Sequence, residues 1–197
     1  AQFVNLNPSS LRELHVGNER LVSYNVEMTE VTGGTFWKAY TPAQIAGTEP
    51  FVLKGGFLGN ATASTDLMQY YDPIDLSDKK LRKLAKEIGP AWVRVSGTWS
   101  TKTYYDFDGH TNGVIPEGYN AILTREQWLG VLDFCKDIGA KLLISVADCE
   151  GLHHADEPWN PSQAEQIFAL SKEYGKAIDA AEFVNEPNLL AMCGCPK

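Results

Sequence analysis

The sequence predicts an α/β fold in which helices cover a parallel sheet, and three observations predict it. Short apolar, β-branched stretches alternate along the chain with amphipathic helical patterns. The strand stretches are near-continuously apolar, as expected of strands in a covered parallel sheet. Each stretch also ends in polar residues: Asn25 and Glu27, then Ser96 and Thr98, then Asp148, then Asn185 and Glu186. Chemistry delivered at C-terminal strand ends marks the active face of a (β/α) barrel. The competing open, doubly wound sheet loses its nucleotide-binding version, because no Gly-rich phosphate loop follows any strand. The expectation is a TIM-barrel, (β/α)8-type fold. A full barrel has eight strands and about 250 residues. This chain of 197 residues offers four strands, which makes it about four βα units, a half-barrel.

The elements follow in order. "RLVSYNVEM" (20–28) is the first strand, rich in β-branched and aromatic residues. A helix is expected over 77–89, with Ser77 as N-cap, Leu81, Leu84, Ala85 and Ile88 on its buried face, and Gly89 as its stop. "AWVRVSGT" (91–98) is the second strand. The helix over 124–139 opens with Thr124 and Gln127 in capping-box spacing. It buries Trp128, Val131, Leu132, Cys135 and Ile138 and leads into the third strand, "KLLISVAD" (141–148). Pro161 opens a helix over 161–178, with Ile167, Leu170 and Tyr174 on one face, and "AEFVN" (181–185) is the fourth strand.

Composition narrows the function classes. A hydrophobic content of 44% and a charged content of 21% fit a globular domain with a substantial core. The net charge of −8 argues against nucleic acid as a partner, since phosphate binding needs a basic face. No apolar run reaches the ~18 residues of a membrane span, so no membrane partner is expected. No charged n-region precedes an apolar stretch, so no signal peptide is visible, which leaves secretion or a periplasmic location open.

The long connections carry the remaining signals. Residues 29–75 are too long for a plain loop and hold Phe36, Trp37, Tyr40, Phe51, Phe57, Tyr70 and Tyr71. These aromatics read either as sugar-stacking surfaces or as a satellite apolar cluster. The third connection places His153 and His154 near Cys149, and the fourth carries Cys193 and Cys195. The ligand types suit zinc, but the Cys-x-Cys and His-His pairs lack zinc-site spacing, so no metal or cofactor is assigned. A disulfide from Cys149 to Cys193 or Cys195 stays equally open, while Cys135 reads as a buried thiol.

The stretch "AEFVNEPN" (181–188) is the most informative. A carboxylate at a strand end, preceded by an amide and followed by proline, is a site geometry. Pro187 is expected to hold Glu186 in extended backbone. Beside an apolar wall such a carboxyl can stay protonated near neutral pH and act as a general acid. Its structural alternative is the first turn of a helix, where Glu and Pro are both at home.

"AEFVNEPN" together with "WVRVSGTWSTKTYYD" resembles glycoside hydrolase family 79, the β-glucuronidase and heparanase-like group, within the clan of retaining (β/α)8 glycosidases. The resemblance runs through "SYNVEM", "VRVSGT", "ISVAD" and "FVNEPN", most of the chain. It implies that Glu186 is the catalytic acid/base and Asn185 its neighbour on the sugar 2-hydroxyl, with Asn25, Glu27, Thr98 and Trp99 lining the sugar subsite. It also implies a nucleophile after a seventh strand, outside this sequence. Asp148 and Glu150 follow the third strand, where the family places no nucleophile. Residues 1–15 become a candidate strand of a β-sandwich, and 16–197 the first half of the barrel. The expected partners are a β-glucuronide or related carbohydrate and a complementary half-barrel chain, or a second copy. The alternative is a non-catalytic carbohydrate-binding or self-assembling half-barrel module. Acidic overall charge favours small glucuronides over long sulfated chains, although Lys38, Lys54 and Lys102 could form a local basic patch.

Overall fold

The computed structural model describes residues 3–50, 68–154 and 156–189. In chain order its elements are β1 (Tyr24–Glu27), α1 (Met28–Thr32), β2 (Gly34–Trp37), α2 (Pro42–Ile45) and β3 (Met68–Tyr71). Then come α3 (Lys79–Glu87), β4 (Trp92–Ser96), β5 (Thr103–Asp106), β6 (Ala121–Thr124), α4 (Arg125–Asp137), β7 (Lys141–Ser145), α5 (Ser162–Glu173) and β8 (Ala180–Glu182). The expected strands form one four-stranded sheet in the order β1-β4-β7-β8, parallel at every pairing. Among the described residues the sheet is not closed, and β1 and β8 are its edges. The α/β class and the parallel sheet are thus as expected.

Register decides which side chains face the helices. Val26 stands opposite Val95, and Val95 opposite Ile144. With Val93 and Leu142 they are buried in the helix-covered core. Strand periodicity places the alternate residues Asn25, Glu27, Arg94, Ser96, Ser145 and Glu182 on the opposite face. Asn25 pairs in register with Arg94, Glu27 with Ser96, and Ser145 with Glu182. One face of the sheet is therefore apolar and the other polar and charged.

Helix α4 is the centre of the core. Its Thr124–Gln127 capping box forms as the sequence predicts, and Trp128, Val131, Leu132 and Cys135 are buried. Trp128 is fully buried and its Nε1 donates to Ser171 Oγ on α5 at 2.9 Å, so the large ring is buried without leaving its one donor unpaired. Ile167 and Leu170 of α5 are buried and Tyr174 packs against the same cluster.

Helix α3 differs from expectation. Its N-cap is Asp78, whose Oδ1 accepts from Leu81 N at 2.7 Å, while Ser77 Oγ donates instead to Asp75 Oδ1 at 2.6 Å. A carboxylate is the stronger acceptor for the helix's orphan amides and carries the favourable charge for that end. Of the expected buried face only Ala85 is buried; Leu81, Leu84 and Ile88 are exposed. The helix is held to α4 largely through polar groups, with Arg82 reaching Asp133 at 2.8 Å and Asp137 at 3.4 Å, and Lys86 reaching Asp137 at 2.7 Å.

Strand ends are also corrected. Residues 20–23, 28, 91, 97–98, 146–148 and 183–185 lie outside the strands expected to contain them. Met28 begins α1 at once, because Glu27 N donates to Glu30 Oε2 at 2.8 Å and turns the chain into a helix. The 29–75 connection has structure of its own, with β2 pairing antiparallel to β3; Phe51, Lys54 and Phe57 lie outside the described residues. Trp37, Tyr40 and Tyr70 are exposed. The second connection is likewise built, with β5 parallel to β6. Residues 3–7 form no strand, and Phe3, Val4 and Leu6 are exposed.

Candidate active site

The polar face of the sheet is organised around Arg94 at the middle of β4. Its Nη1 donates to Asn25 Oδ1 at 2.6 Å on β1, and its Nη2 to Asn185 Oδ1 at 2.9 Å beyond β8. The same Nη2 forms an ion pair with Glu182. Glu182 Oε1 also accepts from Ser96 Oγ at 2.8 Å and from Ser145 Oγ. Burial alone would raise the Glu182 pKa. Hydrogen bonds from Ser145, Arg94 and Ser96, with the Arg94 charge, outweigh it and hold the carboxyl below its ordinary value. The guanidinium's planar fork suits this task, since its donors point to separate strands at fixed angles.

Two expected residues meet at Asn185 and Glu186. Asn185 is buried. With its Oδ1 accepting from Arg94, its amide is oriented to send Nδ2 to Glu186 Oε2 at 3.2 Å. Thr98 Oγ1 donates to the same oxygen at 3.3 Å. Glu186 itself is exposed, its carboxylate held by donors that follow β4 and β8, on either side of β7, rather than by an apolar wall.

The backbone here departs from expectation. The strand stops at Glu182, and Glu186 has φ 50°, the left-handed region, instead of an extended conformation. Its carbonyl accepts from Leu189 N at 2.8 Å, and Pro187 opens a 3₁₀ turn over Pro187–Leu189. The turn-forming tendency of Glu-Pro therefore prevails over the bias that proline exerts on its predecessor. Upstream, Phe183 packs edge-on to Trp159 at 4.9 Å, and Trp159 Nε1 donates to Ala147 O at 3.1 Å. Those contacts tie the Glu186 segment to the neighbouring connection.

Glu27 lies at the other side of this face. Asn25 Nδ2 donates to its Oε1 at 3.0 Å. Its pKa is raised, first by burial and then by the Glu30 charge; the Asn25 hydrogen bond and the Arg94 charge oppose this, and the Glu186 charge adds to it. Its side chain lies against Gly97, whose φ is +100°, and a Cβ built there would fall 1.6 Å from Glu27 Oε2. Asn25, Glu27, Thr98, Asn185 and Glu186 thus form one connected polar surface through Arg94. Trp99 is half-buried; it lines a different cleft, with Lys102 Nζ 5.8 Å from its ring centroid.

Histidine and cysteine do not assemble a metal centre among the described residues. His153 Nδ1 lies 3.1 Å from Asp148 Oδ1, and His154 is exposed. Burial raises the Cys149 thiol to about 11 and the Cys135 thiol to about 12. Both are free and buried, so Cys135 is as expected, while Cys193 and Cys195 lie outside the described residues. Metal-ligand types do gather at Asp106, Asp108 and His110. There the imidazole Nδ1 already sits 2.5 Å from Asp108 and 3.3 Å from Asp106, and its pKa is raised by the Asp108 hydrogen bond.

Arg94, Ser145 and Glu182 are the members of this surface that motif reading passes over. Their signal is charge or hydroxyl at alternate positions of otherwise apolar strands, in "WVRVS", "KLLIS" and "AAE". No protein-family model matches the chain, and no curated protein matches it significantly.

Proposed function

We propose that the chain contributes the acid/base half of a retaining β-glycosidase, most concretely a β-glucuronidase of the family 79 type, with its sheet forming part of a (β/α)8 barrel. The observation that carries the reading is the Glu186 carboxylate, held by Asn185 and Thr98 at the ends of parallel strands and facing the polar side of the sheet. Glu186 would protonate the leaving-group oxygen and later deprotonate the attacking water. Asn185, anchored by Arg94, would bind a sugar hydroxyl beside it. Retention needs a second carboxylate about 5–5.5 Å away as nucleophile. A further segment pairing with the open β8 edge would supply it.

The test uses the enzyme assembled from this chain and its complementary half. Glu186→Ala should abolish hydrolysis of a poorly activated aryl β-glucuronide, whereas on a dinitrophenyl β-glucuronide, whose leaving group departs without a proton, added azide should restore turnover as a β-glucuronyl azide. Full activity in the variant, or rescue to an inverted azide, would refute the assignment. A parallel assay on heparan sulfate separates small glucuronides from long sulfated chains.

A second reading is favoured by the open edges β1 and β8. A self-assembling, non-catalytic carbohydrate-binding half-barrel predicts sugar binding that survives Glu186→Gln and no covalent labelling by a mechanism-based glycosidase inhibitor. Native mass spectrometry distinguishes a second copy from a different chain at those edges.

A further inference from the structure

The connection between β5 and β6 gathers ligand-type groups that the polar sheet face does not use. Asp106, the last residue of β5, and Asp108 and His110 just beyond it each bring one such atom within 4.8 Å of the other two. Asp106 is 5% exposed. Its Oδ2 is satisfied by Thr111, which donates from Oγ1 at 2.5 Å and from N at 3.3 Å. Its Oδ1 is buried without a hydrogen-bond partner and looks onto His110 Nδ1 at 3.3 Å. That nitrogen carries at most one proton, and Asp108 Oδ1 already takes it at 2.5 Å. Two carboxylates therefore compete for one N–H, and the buried one goes without.

A divalent cation in place of that proton answers all three atoms. Around an ion with bonds of about 2.0–2.2 Å, tetrahedral neighbours stand about 3.3–3.6 Å apart. Asp106 Oδ1 and His110 Nδ1 already have that separation. Asp108 must open by about 1 Å, and its side chain, 76% exposed, can make that shift without repacking the core. On the far side of the ring, Tyr104 Oη lies 3.2 Å from Nε2. By accepting from Nε2–H, that hydroxyl leaves Nδ1 as the lone-pair nitrogen, and metal-bound histidines almost always make such an outer contact.

We propose that Asp106, Asp108 and His110 bind a zinc-type divalent transition-metal ion, with water completing its coordination. The ligand set selects that class. Calcium and magnesium take all-oxygen shells, whereas imidazole suits zinc and its first-row neighbours. The two carboxylates balance the ion's charge while the imidazole binds neutral. Bound there, the ion ties the end of β5 to the connection that leads on to β6. The site shares no residue with the Glu186 surface and needs no glycosidase activity.

The test is isothermal titration calorimetry of the 197-residue chain with ZnCl₂, MgCl₂ and CaCl₂, in a Cys193→Ser, Cys195→Ser background that removes two competing thiols. One zinc ion per chain should bind, and neither magnesium nor calcium should displace it at equal concentration. Long-range ¹H–¹⁵N spectra of the histidine side chains locate the ion: His110 Nδ1 should move, and His15, His153 and His154 should stay in place. Tyr104→Phe should weaken zinc about tenfold or more, and His110→Gln and Asp108→Asn should weaken it further. Those last two side chains are exposed, so they keep the test decisive if Asp106→Asn, expected to weaken zinc as much, folds poorly. The proposal is overturned if zinc moves a different histidine, if His110→Gln binds zinc as tightly as the parent chain, or if calcium or magnesium binds tighter. Absence of saturable zinc binding equally overturns it and leaves an ordinary surface Asp–His pair.

Discussion

Gly97 offers a perturbation whose size can be worked out in advance. Its φ of +100° and ψ of 167° belong to a region that is essentially glycine-only, so Gly97→Ala carries about 1–3 kcal/mol of backbone strain. The new methyl would also fall 1.6 Å from Glu27 Oε2 and 2.6 Å from its Cδ. Those atoms are the far end of a flexible side chain, so Glu27 swings away and the backbone holds. The loss is then the Asn25–Glu27 hydrogen bond, about 1 kcal/mol at this partly solvated place. The total is roughly 2–4 kcal/mol. Gly89, with φ +90° and no atom within 4 Å of a built Cβ, supplies the control: Gly89→Ala should cost only about 1 kcal/mol, the strain by itself. The decisive assay is a urea-denaturation cycle of Gly97→Ala on wild-type and Glu27→Ala backgrounds. A coupling of about 1 kcal/mol is expected, because without Glu27 only the strain is left. If Gly97→Ala costs the same on both backgrounds to within about 0.3 kcal/mol, the close approach to Glu27 has no energetic meaning.

Two further outcomes follow from the polar sheet face. Arg94→Met should destabilise by about 2–4 kcal/mol, less than a fully buried pair would lose because both side chains keep some solvent contact, and adding Glu182→Gln should recover part of it in equilibrium unfolding. Glu182 and Glu27 should give opposite pH dependences. With its folded pKa below the ordinary 4.5, Glu182 contributes stability that is present above that value and lost as pH falls through the folded pKa, so wild type should lose its advantage over Glu182→Gln in acid. Glu27, with its pKa raised, makes the fold lose stability as pH rises past 4.5, so Glu27→Gln should gain on wild type there. Denaturation midpoints measured from pH 3 to 7 check both signs.

Sequence periodicity was sufficient where burial is one-sided and caps are strong. The Thr124–Gln127 box and the Trp128 stripe define α4 from residues in one short window. Around α3 the same reasoning overstated burial, since an apolar stripe at helical spacing does not reveal whether a neighbour lies over it. The helix docks through Arg82 and Lys86 onto aspartates fifty-one residues later on α4, a pairing no local pattern contains. The candidate site was legible at Asn185 and Glu186 because both chemical groups and the proline stand side by side. Arg94 was not, because its importance lies in joining Asn25, Glu182 and Asn185 from separate strands. The turn at Glu186 was misjudged for a related reason. Proline's local bias yields when the carbonyl before it is already engaged by Leu189 N.

The order β1-β4-β7-β8 also has a meaning in time. Each strand of the sheet after β1 pairs with the sheet strand synthesised just before it, so a nascent chain emerging from the ribosome never waits for a later partner. Each unit could dock as soon as its helix is made, leaving the newest strand as the template for the next. The last described strand, β8, presents Ala180–Glu182 as an open edge. Its own register is set by Leu143, Ile144 and Ser145 of the strand made before it.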